Sequence, residues 1–143
     1  MRRGVFFLFA FLLLSCSIQK QIPALSTAEL AAYLWSYKDA HPQGFTLSLT
    51  TLSEPSWGIS VAFESTLTGK NPEELEKIVS HSLAHEGYVG GWQDSRDSTY
   101  CFDSVRLFPE NQRKKALRFA RKNHQAAFYV ISTSEEVWVA PKD

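Results

Sequence analysis

Cysteine is nearly absent from this chain: its 143 residues carry only two, Cys16 and Cys101. That excludes a disulfide scaffold, so stability must come from a packed core. Net charge is absent as well, with 15 basic side chains against 15 acidic ones, and a balance of this kind names no partner through bulk electrostatics. Long apolar runs are missing too. The longest, Val5 to Leu14, is about half of the roughly twenty residues that a hydrocarbon core demands, which excludes a stable transmembrane helix. Finally, no catalytic motif stands clear of chance, and neither a catalytic set nor a cofactor is expected from the residues alone.

What is present begins with an address. Arg2 and Arg3 followed by the apolar run from Val5 to Leu14 have the order of a secretory signal. The run ends on Leu13-Leu14-Ser15-Cys16, which resembles the lipobox of bacterial lipoproteins. Leu14 is bulkier than the residue usual before the small one, so ordinary signal-peptidase cleavage stays open as the alternative. The resemblance implies that residues 1–15 are removed and that Cys16 becomes a diacylated first residue. Two acyl chains then make attachment stable where one is marginal. Losing Arg2 and Arg3 leaves 13 basic side chains against 15 acidic, and Cys101 is left as the only free thiol. Residues 16–25 form the lipidated cysteine and a polar tether that reaches roughly 30 Å when extended. Ser17-Ile18-Gln19-Lys20 lacks the aspartate that retains many lipoproteins in the inner membrane and the acidic run that marks surface export. By the same resemblance the expected location is the periplasmic face of an outer membrane, a place that disfavours nucleic acid as a partner.

Residues 26–143 have the size of one domain and aromatic side chains enough to fill its core. Ser26-Thr27-Ala28-Glu29 has capping-box spacing and opens a helix that His41-Pro42 stops. Phe45, Leu47 and Leu49 alternate with polar residues, as do Ile59, Val61 and Phe63, which predicts a hairpin. Pro72-Glu73 opens a second helix with the stripe Leu75, Ile78, Val79, Leu83, closed by Gly87 as a left-handed cap. A hairpin of residues 88–93 and 99–108 follows, turning over Asp94 to Ser98. The third helix starts at Pro109-Glu110 and fades at Asn123-His124, and residues 127–131 and 137–139 form the last hairpin. The expected fold is α+β: an antiparallel sheet of three hairpins with two or three helices packed on one face. Gly90-Gly91-Trp92, Tyr100 with Phe102-Asp103-Ser104, and Phe108-Pro109-Glu110 resemble segments of small uncharacterised bacterial proteins, a resemblance that brings no activity with it.

Four groups of residues invite a chemical reading. His81 and His85, four apart on one helix, are the weak candidates for a metal site, with Glu86, His124 or Asp97 as conceivable third ligands. Ser82 stands where a zinc protease would carry glutamate, so the histidines read first as helix-boundary residues near the negative end of the dipole. Cys101 flanked by Tyr100 and Phe102 reads as a small buried hydrophobe, and only a neighbour that lowers its pKa would make it a nucleophile. Together Cys101 and the His81/His85 pair define the alternative, a small envelope hydrolase. Asp94, Asp97 and Asp103 could pair as acid and base, yet Asp94 and Asp97 suit a turn. Trp57, Trp92 and Trp138 are expected in the core, with a binding surface as the alternative, and Gly90-Gly91 is expected to mark a close approach.

The fourth group is the basic stripe Lys114, Lys115, Arg118, Arg121 and Lys122. At 100° per residue it lies opposite Ala116 and Ala120. Residues 109–124 hold six cations and one acid, Glu110. Same-sign neighbours three and four apart repel, so the pattern carries a small cost; it reads first as a solvated helix face, with an anion-binding role as the alternative. The expected function is that of a lipid-anchored binding module for anionic head groups or an acidic envelope protein.

Overall fold

The computed structural model describes residues 24–64 and 68–139. The expected signal segment, Cys16 and the tether through residue 23 lie outside them. Helix α1 (Thr27–Ala40) begins where the Ser26 side chain accepts the Glu29 N–H and the Glu29 carboxylate accepts the Ser26 N–H, so two orphan donors are satisfied reciprocally. Helix α2 (Pro72–Leu83) begins under Asn71, whose side chain accepts the Glu74 N–H, with Pro72 preset for the first turn. Past its end, Gly87 adopts φ +74° and donates its N–H to the Ser82 carbonyl, the left-handed stop expected of it. Helix α3 (Arg113–Lys122) follows a 3-10 turn at Glu110–Gln112, so the expected start at Pro109-Glu110 is a tight turn before it is α-helix.

The strands are β1 (Phe45–Ser48), β2 (Ile59–Ala62), β3 (Tyr88–Gln93), β4 (Tyr100–Phe108), β5 (Ala127–Val130) and β6 (Glu135–Trp138). They form one antiparallel sheet in the order β1-β3-β4-β2-β5-β6. The α+β class, the antiparallel sheet and two of the three expected hairpins, β3–β4 and β5–β6, are present. The first expected hairpin is not: β1 pairs with β3, and β2 lies between β4 and β5. Two local causes separate β1 from β2. After β1 the chain folds back on itself, with Ser53 bridging Ser48 and Leu52 at φ 51°, so the connection leaves the strand axis instead of turning tightly. Gly91, the partner of Phe45, lies under the Phe45 ring, which would stand 2.5 Å from a Cβ at that position. The paired glycines thus mark the close approach of an aromatic ring, and that approach docks β1 on β3.

Alternation along β4 fixes the layers. Phe102 belongs to the core under α1 and α2, with Leu34, Leu47, Leu75, Val79 and Val89. Phe108 belongs to the core under α3, with Ile59, Val61, Ala116, Ala120 and Phe128. An even separation puts both on one face of the sheet, so all three helices cover the same side. The odd positions Cys101, Asp103, Val105 and Leu107 occupy the opposite face.

Candidate functional site

Helix α3 is held by little. Its buried residues are Ala116 and Ala120, with Leu117 and Phe119 half-buried beside them. Lys114, Lys115, Arg118, Arg121 and Lys122 are all exposed. Among the described residues none of these five forms an ion pair, whereas their neighbour Arg113 reaches Glu135 at 3.6 Å. The helix has no side-chain cap and no acid in its first turn. Arg113, Lys114 and Lys115 therefore stand at the positive end of the helix dipole, where cations are disfavoured. Beside them lies an open depression of about 750 Å³, lined by Asn111, Gln112, Lys115 and Arg118 among others. The arrangement leaves five cations facing solvent, able to meet phosphate or carboxylate oxygens.

The histidines come together. At the end of α2 the His81 and His85 rings stack with centroids 4.0 Å apart and planes 23° from parallel, and Phe63 stands edge-on to the first at 5.0 Å and tilted against the second at 4.9 Å. His81 Nδ1 lies 2.8 Å from Ser104 Oγ on β4, and His85 Nδ1 lies 2.7 Å from the His81 carbonyl. Burial, and then the neighbouring His85, pushes the His81 pKa down. Two of the expected third ligands are engaged with other partners: Glu86 pairs with Arg106 at 2.8 Å and accepts the Leu107 N–H, and Asp97 accepts the Thr99 N–H. Among the described residues no three His, Cys, Asp or Glu side chains are grouped for a metal ion.

Cys101 is 1% exposed, and its thiol points toward the Thr99 carbonyl at 3.8 Å. Burial, reinforced by Asp103, pushes the thiol pKa up, which is opposite to what a nucleophile requires. Asp94 is spent on its turn, accepting the Arg96 N–H at 2.9 Å and pairing with the guanidinium at 2.6 Å, which holds its carboxyl at about 2. Asp103 is a different case, and sequence reasoning understated it. Its carboxylate accepts the Thr68 hydroxyl and, at 2.6 Å, the Trp92 indole N–H, while burial pushes its pKa up against those two hydrogen bonds. The signal was the pairing of Trp92 with Cys101 in the β3–β4 ladder, which sets the indole diagonally beside Asp103.

The three tryptophans correct an expectation. Trp57, Trp92 and Trp138 are 55%, 40% and 72% exposed, not core residues. Register explains two of them. Val137 faces Phe128 in the core, so Trp138 faces the side without helices, and Trp92 shares that side with Cys101.

No family model, no curated protein and no solved structure matches the chain.

Proposed function

We propose that this chain is a lipid-anchored protein of a bacterial envelope whose folded domain is a binding module, docking phosphate-bearing head groups through the basic face of α3. One observation carries the docking half of the reading: five exposed cations on one helix, none neutralised among the described residues. A cation beside an anionic surface contributes about 1 kcal/mol. Three or four acting together suffice once an anchor keeps the domain at the surface, because tethering turns docking into an intramolecular step. Cys16 supplies that anchor, and the lipobox resemblance of Leu13-Leu14-Ser15-Cys16 supports it. The hydrolase reading gains no support from the buried, high-pKa Cys101.

Two experiments test the two halves. Cys16→Ala is expected to release the protein from membranes or to leave the precursor uncut, and normal processing with unchanged sedimentation contradicts the anchor. The soluble form, residues 17–143, is expected to sediment with anionic vesicles at low salt and less at physiological salt, where the screening length is about 8 Å. Replacing Lys115, Arg118 and Lys122 by Gln is expected to abolish that binding. A pull-down from envelope extract that instead captures an acidic protein through the same three residues would replace head groups by that partner.

A further inference from the structure

Helix α2 presents two imidazoles whose arrangement is not needed for packing. The buried face of α2 is Leu75, Ile78, Val79 and Ser82. His81 is half-buried at the rim of that face, and His85 is exposed. Yet the two rings lie against each other, with the Phe63 ring forming a wall beside both.

We propose that His81 and His85 form a two-imidazole site for a divalent transition-metal ion of the zinc, nickel and copper class, with its remaining coordination positions open to water or to a donor brought by a ligand. The inference stands apart from the docking role of α3 and uses none of its residues.

Three features support it. The first is spacing: residues four apart on an α-helix lie one above the other, and imidazole nitrogen suits this class of ion. A tetrahedral ion with bonds of about 2.0 Å spans nitrogens roughly 3.3 Å apart. The two ring centroids lie 4.0 Å apart, close to that span. The second is the state of the ring nitrogens. The partner of His85 Nδ1 is a backbone carbonyl, which only accepts, so Nδ1 carries the hydrogen and the neutral ring keeps its lone pair on Nε2. His81 Nδ1 lies 2.8 Å from the Ser104 hydroxyl, which can accept an Nδ1 hydrogen and so leave the His81 Nε2 lone pair to an ion. Among the described residues neither Nε2 has a hydrogen-bond partner. The third is support behind the ligands. A metal-binding histidine ordinarily donates its second nitrogen to a carbonyl, carboxylate or water that fixes the ring, and here the His81 carbonyl and Ser104 occupy those positions. With no third protein ligand grouped among the described residues, the ion keeps open positions. That is the arrangement of a site that receives a ligand, not of a closed structural one.

The test uses the full chain without an affinity tag, in detergent, titrated calorimetrically with zinc chloride. One ion per chain is expected. His81→Gln and His85→Gln should each weaken uptake by at least about tenfold, since even loss of a supporting partner costs on that scale. His124→Asn, which keeps a residue tolerant of the φ of 54° found there, should bind as the parent does. Copper(II) added to the parent protein supplies a reading that needs no variant: its electron spin echo modulation should show two imidazole nitrogens. Zinc uptake that is absent into the millimolar range, or equal in the parent and the double His→Gln variant, overturns the proposal, as does a copper spectrum without imidazole.

Discussion

Helices α2 and α3 cover neighbouring parts of one sheet and are built on opposite terms. α2 follows each rule that stabilises a helix: a side-chain cap at Asn71, Pro72 in the first turn, Glu73 and Glu74 at the positive end of the dipole, and Leu75, Ile78 and Val79 fully packed. α3 follows few of them. It has no side-chain cap, it places Arg113, Lys114 and Lys115 at the wrong end of the dipole, and it buries only two alanines completely. Selection for stability alone accounts for the capped start and the buried face of α2. The composition of α3 costs stability, in keeping with the docking role proposed for it.

Damage to the two helices is expected to have unequal effects. The largest is expected at Leu75, fully buried between α1 and the sheet: Leu75→Ala should cost about 2–5 kcal/mol, read from the denaturation midpoint. Next come the caps. Asn71→Ala removes the bond to the Glu74 N–H and should cost about 1 kcal/mol, whereas Gln112→Ala at the equivalent place on α3 removes no cap bond and should change stability by no more than a few tenths of a kcal/mol. Equal losses at the two positions would break the contrast. The smallest effect is on the basic stripe itself. Replacing Lys115, Arg118 and Lys122 by Gln should leave the fold intact and raise stability slightly, by relief of repulsion at spacings of three and four. A clear loss of stability would mean that these side chains serve the fold.

The same contrast separates what the sequence made legible from what it hid. Local signals survived: the capping box at Ser26 and Glu29, the stop at Gly87 and the inward alanines of α3 all stand where pattern put them, because each depends on neighbours within one or two turns. The partner of β1 was hidden. It depends on the Phe45 ring lying over Gly91, a contact between residues 46 apart that alternation cannot report. The tryptophans misled for a related reason, since hydrophobicity predicts burial while register decides which face a residue takes. Of the candidate sites, the cationic face of α3 was readable because helical spacing alone generates it. The pairing of His81 with Ser104, and of Asp103 with Trp92 and Thr68, required the sheet.

The central claim is that the position of the charges on α3, and not the charge of the domain, creates the docking surface. Two variants of the soluble form separate these, since each loses two exposed lysines: Lys115→Gln with Lys122→Gln on α3, and Lys70→Gln with Lys77→Gln at and within α2. Partition onto anionic vesicles at low salt should fall about tenfold or more for the α3 pair, at about 1 kcal/mol per cation removed, and should stay near the parent value for the α2 pair. Equal weakening by both pairs, or none by either, would contradict the account.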